Sequence, residues 1–321
     1  MRIAVIGAGV MGQRHAEKVA ALARAGRDVR LVGVADLDVE RAGAVAAQLE
    51  TRAVAHGREL FDGADAAIIA VPTVDHFAVT RDALLAGLDV LIEKPIAATL
   101  EEATALVDLA RQRGRVLHVG HQEWFNAGMR AVRERIGSPR FAEIHRIGPF
   151  PERGTDVDVV RDLMIHDLEI LQQLLGEEPA RVDAVGIPVL TDHVDIANAR
   201  LTFDCHCVAN LTASRVSASP MRRFRLFQRD AYFSIDFLEQ KAVLARRHPA
   251  DGDEPPRIEM EELKSDPEDS LLAQLEAFLA ALLREPGDSS GPSGVSGVEA
   301  TSALRTALRV IDAMPATDDL P

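Results

Sequence analysis

The chain has 321 residues, 47% of them hydrophobic and 27% charged, and this length is enough for one large domain or for two ordinary domains that each bury a core. Its 36 Lys and Arg against 50 Asp and Glu give a net charge of −14, which argues against nucleic acid or an anionic membrane as a partner. No apolar run is long enough to span a bilayer and no secretory signal pattern precedes the first predicted strand, so we expect a cytoplasmic protein.

The first predicted strand, residues 3–6, leads into a glycine-rich motif and a predicted helix over residues 10–25. The motif has the form G-x-G-x-x-G, which is typical of dinucleotide sites when it joins a strand to a helix. Gly7 would permit a tight turn, Gly9 a close approach of a pyrophosphate, and Gly12 tight packing of helix on strand. The helix start at Val10-Met11 would offer free N–H groups to the phosphates. The alternative is a glycine-rich turn without a ligand.

The second predicted strand, residues 30–35, ends at Asp36. An acid at this place can bond both ribose hydroxyls of an adenosine and repel a 2′-phosphate, so Asp36 favours NAD over NADP. Asp36 could instead cap the predicted helix over residues 39–49, but Asp38 can also serve as that cap.

Strand and helix patterns continue to alternate as far as residue 119, with predicted strands at 66–71, 89–92 and 116–119. Unbroken apolar strands alternating with helices indicate a parallel sheet covered on both faces. Ligands of such sheets bind beyond the carboxyl ends of the strands. The residues predicted to line the cofactor site from these ends are Val71, Pro72, Thr73, His76, Glu93, Lys94 and Gln122. For Lys94 the alternative is an ordinary solvated lysine.

Beyond Trp124 the pattern becomes an alternation of apolar and polar residues, typical of an antiparallel sheet with one buried face. The predicted strands cover residues 141–150, 181–189, 196–214, 224–227, 232–237 and 242–246. We therefore predict two domains, residues 1–122 and 123–321, the second of α+β class. The arginines at 222, 223, 225 and 229 are interpreted as the wet face of a strand rather than as a phosphate site.

Cys205 and Cys207 lie in the alternating run 196–214 and are predicted to share one face of a strand as small buried hydrophobic residues. No set of metal ligands accompanies them, so no metal site is predicted. Two further helices are predicted at 270–284 and 298–313, joined by a flexible connector.

The sequence Asp162-Leu-Met-Ile-His166-Asp167 begins a predicted helix that ends at Leu175, before Gly176 as a left-handed cap. Residues four apart lie on one face of a helix, so Asp162 and His166 would present a carboxylate and an imidazole together. Such a pair is suited to moving a proton. A separate apolar stripe of Leu163, Ile170, Leu171 and Leu174 would face a core. The alternative is a solvated ion pair.

On these motifs the chain resembles the glucose–fructose oxidoreductase / inositol dehydrogenase / MocA (Gfo/Idh/MocA) family, essentially end to end. The motifs are Gly7-x-Gly9-x-x-Gly12, Asp36, Glu93-Lys94-Pro95 and Asp162-x-x-x-His166-Asp167. The resemblance implies an N-terminal Rossmann doubly wound parallel sheet and a C-terminal α+β domain with a large, mainly antiparallel open sheet. It also implies NAD as cofactor, a homodimer or homotetramer, and a catalytic constellation of Lys94, Asp162 and His166.

In that constellation we expect His166 to act as the base, Lys94 to stabilise the developing alkoxide and Asp162 to hold the imidazole. Whether Lys94 or His166 is the true base stays open. A narrower resemblance, in residues 120–126, 154–167 and 190–198, is to bacterial members that oxidise the 3-hydroxyl of UDP-N-acetylglucosamine. The alternatives are a dehydrogenase of a free polyol such as myo-inositol and a non-enzymatic NAD-binding regulator.

The expected substrate contacts are Trp124, Arg153, Thr155 and His193, although each can equally be a structural residue. One departure bears on them. The family pattern after the sixth strand is G-H-x-E-R-F-N-P, and here Trp124 replaces the arginine and Ala127 the proline. The guanidinium is lost at that position, so a substrate anion contact there is in doubt. Trp124 could stack on a ring or pack between domains instead.

Overall fold

A computed structural model describes residues 1–150, 157–250, 255–263, 269–284 and 294–315. The chain divides into two compact units, Met1–Gln122 with Leu271–Thr301, and Glu123–Ser270 with Ser302–Pro321. The sequence predicted one boundary, after residue 122. The first unit takes in the later segment because Leu275, Phe278 and Leu279 pack into its hydrophobic core.

The first unit is built on a parallel sheet of six strands. These are β1 (Arg2–Ile6), β2 (Arg30–Ala35), β3 (Arg52–Val54), β4 (Ala66–Ile69), β5 (Asp89–Ile92) and β6 (Leu117–Val119). Their order, β3-β2-β1-β4-β5-β6, is that of a doubly wound dinucleotide-binding sheet, which confirms the predicted fold. The strand β3 was not predicted, because three residues are too few to show a period.

Helices accompany these strands along the chain. They are α1 (Val10–Arg24), α2 (Val39–Leu49), α3 (Arg58–Phe61), α4 (Thr73–Leu85) and α5 (Leu100–Arg113). Asp38 caps α2, because its side chain accepts from the backbone N–H of Arg41 at 3.0 Å. This leaves Asp36, two residues earlier, available for another role. The central strands β1 and β4 are buried along almost their whole length, as their unbroken apolar sequence predicted.

The second unit contains an eight-stranded sheet, together with the helices α6 (Ala127–Val132) and α7 (Ile165–Leu175) and most of the last helix of the chain. The strands are β7 (Phe141–Ile147), β8 (Arg181–Ile187), β9 (Ile196–Thr202), β10 (Val208–Ser214), β11 (Met221–Gln228), β12 (Ala231–Asp236), β13 (Lys241–His248) and β14 (Arg257–Leu263). All neighbours are antiparallel except β7 and β10, so the mainly antiparallel sheet is confirmed. The sequence missed β14, because six of its seven residues are exposed and no buried face shows in its pattern.

The alternation within residues 196–214 conceals a chain reversal between β9 and β10. Cys205 and Cys207 lie in this turn, and the intervening His206 has a left-handed backbone with φ of 66°. Cys205 is exposed and Cys207 is buried, so the prediction that both share one face of a strand is wrong. The alternation of apolar and polar residues correctly indicated a strand on either side of the turn. Apolar residues inside the turn continued the alternation, so the two strands were predicted as one.

The last two helices are α8 (Ser270–Leu282) and α9 (Gly297–Asp312). Within the described ranges, none of the helices has the length and hydrophobicity needed to cross a bilayer.

Candidate active site

The glycine-rich loop after β1 is shaped by contacts that leave no room for a side chain at two of its glycines. Gly7 has a φ of +100°, and a Cβ there would lie 2.3 Å from the carbonyl oxygen of Ala70. A Cβ at Gly12 would lie 1.8 Å from the carbonyl oxygen of Gly7. At Gly9, by contrast, a Cβ would meet no described atom within 4 Å. The loop therefore keeps an open space at Gly9, where a pyrophosphate can approach the backbone.

Beside this loop, Asp36 presents a carboxylate that is held in place by the protein itself. The backbone N–H of Ala8 donates to its Oδ2 at 2.6 Å, and that of Asp38 to its Oδ1 at 2.9 Å. Arg41 adds a fork, with Nη2 2.8 Å from Oδ1 and Nε 3.2 Å from Oδ2. Burial opposes ionisation, but these donors outweigh it and hold the pKa of Asp36 below its usual value. Asp36 was predicted from the sequence, whereas Arg41 was not.

The Glu93-Lys94-Pro95 segment follows β5 and is held by two buried histidines. His15 of α1 is fully buried, and its Nε2 lies 2.7 Å from Oε1 of Glu93. The ring of His76 lies between two carbonyl oxygens, with Nδ1 2.7 Å from that of Pro95 and Nε2 3.0 Å from that of Val71. Burial lowers the pKa of His76, and the two carbonyls act against it. His76 thus links the ends of β4 and β5, and His15 was not anticipated.

Lys94 is half-buried at the end of this sheet, close to His121. Burial, and then the positive charge of Lys94, lower the pKa of His121 to about 3. His121 is therefore neutral at physiological pH, and the charge of this pair is carried by Lys94.

The other predicted cofactor residues also follow strand ends of the first unit. Ile69 pairs with Ile6 and with Ile92, and Ile92 with Val119, so the residues after these strands emerge at one edge of the sheet. Those with partial or full exposure are Val10, Met11, Val71, Pro72, Thr73 and Gln122. The structure thus brings the predicted cofactor residues to one edge, and their contacts with NAD stay a prediction.

In the second unit, the segment with Asp162 and His166 departs from the predicted regular α-helix. Residues Val160–Met164 form a π-helical turn, and α7 begins at Ile165. Asp158 starts the turn, because its Oδ1 accepts from the N–H of Val160 at 3.1 Å and from that of Arg161 at 2.9 Å. The i, i+4 argument therefore does not apply to Asp162 and His166, and their pairing stays a prediction. Short π turns are frequent at functional sites.

The helix α7 is also more buried than an amphipathic pattern implies. Its residues from Ile165 to Gln172 are all buried, including His166, which is 8% exposed. Of the predicted stripe, Ile170 and Leu171 are fully buried, whereas Leu163 and Leu174 are only half-buried. The predicted left-handed cap is present at Gly176, with φ of 71°. The separate polar face that the sequence suggested is absent from this described helix.

Next to His166, Asp167 belongs to a charge cluster, which we define as Glu123, Arg146, Asp167 and Arg222. Arg146 contacts both carboxylates, at 2.7 Å from Glu123 and 2.8 Å from Asp167, and Arg222 contacts Glu123 at 3.2 Å. In the sequence, Asp167 and Glu123 belonged to recognised motifs, but nothing indicated that they contact each other's partner. Arg146 carried one signal, a charged residue at a position of β7 where alternation calls for an apolar one.

The predicted substrate residues differ in how far they are exposed to solvent. Trp124 is 8% exposed, and the guanidinium of Arg133 lies 5.2 Å from the centre of its ring. His193 is exposed in the loop between β8 and β9. Arg153 and Thr155 lie outside the described residues. Trp124 is therefore buried and lies next to a cation that the sequence did not connect with it.

Two family models match the chain in succession. Residues 1–121 match the oxidoreductase family with an NAD-binding Rossmann fold, and residues 130–233 match the Gfo/Idh/MocA C-terminal domain. UDP-N-acetylglucosamine 3-dehydrogenase of Acidithiobacillus ferrooxidans is 40% identical over 311 residues, which are 97% of this chain and 96% of that protein. The chain belongs to the Gfo/Idh/MocA family. It is an NAD-dependent oxidoreductase.

Solved structures and other relatives agree with this assignment. The structure of the A. ferrooxidans enzyme has a TM-score of 0.89 at 39% identity and covers 98% of this chain and 97% of its own. Inositol 2-dehydrogenase of Burkholderia cenocepacia is 33% identical over 67% of this chain and 65% of its own length. Levoglucosan dehydrogenase in complex with NADH, at 17% identity and a TM-score of 0.84, shares the fold.

Proposed function

We propose that this Gfo/Idh/MocA protein oxidises the 3-hydroxyl of the sugar ring of UDP-N-acetylglucosamine. The observation that carries the proposal is the similarity to the A. ferrooxidans enzyme, which extends over 97% of the chain. The similarity to inositol 2-dehydrogenase of B. cenocepacia extends over 67%. A substrate shared with the first relative would account for likeness in the second unit as well as in the NAD-binding unit.

Three tasks follow from the chemistry of a secondary alcohol that loses a hydride and a proton. His166 takes the proton, since imidazole titrates near neutral pH. Lys94 stabilises the negative charge that develops on the substrate oxygen, and Asp162 orients the imidazole. The neutral state of neighbouring His121 supports this role, because the positive charge of this pair of side chains then lies on Lys94. NAD, when bound, accepts the hydride.

The cofactor is held, in this proposal, by the glycine-rich loop and by the ends of β2, β4 and β5. The open space at Gly9 and the ionised carboxylate of Asp36 both suit a dinucleotide with free ribose hydroxyls. Val71, Pro72, Thr73, Glu93 and Gln122 would contact the rest of the cofactor. His76 would act indirectly, since both of its ring nitrogens already face carbonyl oxygens of the protein.

The test is reduction of NAD, followed by absorbance, when the pure protein is mixed with UDP-N-acetylglucosamine. An aminotransferase and glutamate are added to remove the 3-keto product, because oxidation of an alcohol by NAD is unfavourable at neutral pH. Activity that is lost in His166→Ala supports the proposal. A parallel assay with myo-inositol, and competition by UDP, distinguish the polyol alternative that the inositol dehydrogenases suggest. Activity with myo-inositol alone, insensitive to UDP, would reject the nucleotide sugar.

We also propose that copies of the chain associate through the outer face of the eight-stranded sheet. Aromatic side chains form a row there, with ring centres 5.6 Å apart for Phe141 and Phe227 and 4.9 Å for Phe227 and Tyr232. Val185 and Ile187 are exposed on β8. The same face carries the ion pair of Arg225 with Glu143, and exposed apolar patches with a polar surround of this kind often mark interaction sites. Light scattering of the native protein and of Phe227→Glu tests the proposal, which predicts a smaller particle for the variant.

A further inference from the structure

Arg146 occupies a position in the second unit where the strand β7 otherwise turns apolar side chains inward. The inward residues of β7 are Ala142, Ile144 and Arg146, and the last of these is 3% exposed. A guanidinium removed from water to this extent is unfavourable unless carboxylates and hydrogen bonds compensate it. Its presence therefore calls for an explanation in terms of its partners.

The partners use all three nitrogens of the guanidinium. Nε lies 2.9 Å from Oδ2 of Asp167 and Nη2 lies 2.8 Å from Oδ1, which makes a two-point fork. Nη1 donates to Oε1 of Glu123 at 2.7 Å, and the group lies 5.6 Å from the ring centre of Phe237. Burial disfavours the charge of Arg146, but the two carboxylates outweigh it and raise its pKa above the usual value. Arg146 thus remains a cation at every physiological pH.

Asp167 directly follows His166 in the first turn of α7. That turn comes straight after the π turn Val160–Met164, where the α-helical hydrogen-bond pattern is interrupted. The rotation of the first turn of α7 is therefore not determined by the preceding helix alone. Asp167 is 2% exposed, and Arg146 of the sheet strand β7 donates two hydrogen bonds to its carboxylate. These two bonds fix the rotation of the first turn of α7. The same guanidinium also donates a hydrogen bond to Glu123, which lies three residues after Gly120.

We propose that Arg146 is a positioning residue for the reaction, which fixes the first turn of α7 through Asp167 and thereby the ring of His166. This inference rests on the proposed function, in which His166 is the base. Arg146 contacts neither cofactor nor substrate in this role. It acts through geometry, by the fork, and through charge, by balancing Asp167 and Glu123.

The two contributions respond differently to substitution. Lys supplies one positive charge but cannot make the planar fork, whereas Met supplies neither. The charged groups that bear on this turn are Asp162 and Glu169 from its own segment, Glu123 from the 3-10 turn Gln122–Phe125, and Arg146 and Arg222 from β7 and β11. Without Arg146 the cluster loses a positive charge, which favours the protonated imidazole. The acidic limb of the kcat profile, on which protonation of the base His166 removes activity, therefore moves to higher pH.

The experiment measures kcat as a function of pH for the whole protein with NAD and UDP-N-acetylglucosamine, together with NADH affinity by fluorescence and thermal unfolding. In Arg146→Lys we expect the plateau of kcat to fall at least about tenfold with the pH limb unchanged. In Arg146→Met we expect the same fall and a limb displaced upward by about one pH unit. NADH affinity should stay within a factor of about two in both.

Arg222→Met is the matched control, because Arg222 contacts Glu123 but not Asp167 and is half-exposed. It removes a charge from the cluster and leaves the fork intact, so its plateau kcat should stay near that of the native protein. A plateau kcat in Arg146→Lys equal to that of the native protein would overturn the inference. So would a loss of kcat in the variants that is no larger than their loss of folded protein. Should His166→Ala retain full activity, the proposed function itself would fail, and that outcome is distinguishable from a failure of Arg146 alone.

Discussion

The glycine-rich edge of the first unit and the α7 region of the second unit are built from different chemical groups. The first uses backbone: a left-handed glycine, an open space at Gly9 and N–H groups at the start of α1. The second uses charged side chains that come from residues 123, 146, 167 and 222. Contiguous backbone motifs are visible in a sequence, whereas a cluster gathered from distant residues is not. Substitutions should accordingly affect cofactor binding in the first region and chemistry or stability in the second.

The largest expected effect separates chemistry from cofactor binding. Replacing His166 by Ala should lower kcat by about 10²–10⁴-fold, the range of general acid–base catalysis, while NADH affinity is nearly unchanged. Steady-state kinetics and NADH fluorescence measure the two. An equal loss of NADH affinity would contradict the assignment of His166 to the substrate side of the reaction. Lys94→Met provides the comparison, and the variant whose kcat profile loses its acidic limb identifies the base.

The next effect is on stability and concerns the buried pair Asp195 and Arg215 in the second unit. Asp195 is fully buried, accepts from the N–H groups of residues 189, 190 and 191, and lies 2.7 Å from Nε of Arg215. Asp195→Asn should reduce the free energy of unfolding by about 3–5 kcal/mol, measured by denaturant titration. Asp183→Asn, which breaks an exposed pair with Arg181, should change it by less than about 1 kcal/mol.

The same pair predicts a pH dependence. Burial opposes ionisation of Asp195, but its backbone donors and Arg215 overcome this and hold its pKa well below the usual range. The folded form therefore binds its proton less readily than the unfolded chain. The stability that Asp195 contributes is present above the unfolded pKa of about 4 and is lost as the pH falls towards the lowered folded value. Asp195→Asn should show a flatter decline of unfolding free energy in acid than the native protein.

A matched pair of glycine variants tests the role of the backbone in the first region. Gly7→Ala should destabilise the fold by about 1–3 kcal/mol, because its φ is +100° and its Cβ would meet the carbonyl oxygen of Ala70. Gly9→Ala should leave stability unchanged, because its Cβ meets no described atom within 4 Å, and should weaken NADH binding about tenfold. Thermal unfolding and NADH titration distinguish the two. A Gly9→Ala protein with native NADH affinity would remove Gly9 from the pyrophosphate site.

The smallest expected effect concerns the choice between NAD and NADP. Asp36→Asn removes the carboxylate charge and releases Arg41, whose guanidinium can then attract a 2′-phosphate. We expect the ratio of NADPH to NADH affinity to rise about tenfold, measured by fluorescence titration. Adding Arg41→Met should abolish the rise. If the single and double variants behave alike, Arg41 plays no part in the discrimination.

The parallel sheet and the edge at which its motif residues emerge were predictable, because unbroken apolar strands, regular alternation with helices and one short motif all depend on neighbours in the chain. The glycines 7, 9 and 12, and Asp36 with Asp38 as the separate helix cap, are of this kind. Predictions failed where local pattern was ambiguous. The turn at Cys205 to Cys207 continued a strand period, and β14 lacks a buried face.

By itself, the sequence determined the family, the parallel character of the first sheet and the residue types available for catalysis, because these are properties of contiguous segments. Only the tertiary structure decided the π turn before α7, the burial of α7 from Ile165 to Gln172, and the partners of Glu93, Asp36 and Asp167. Of those partners, His15 and Arg41 are single residues without a local signature, and Arg146 showed only as a charged residue at an apolar position of β7. Their roles come from burial and charge pairing, which arise only when separate segments pack together.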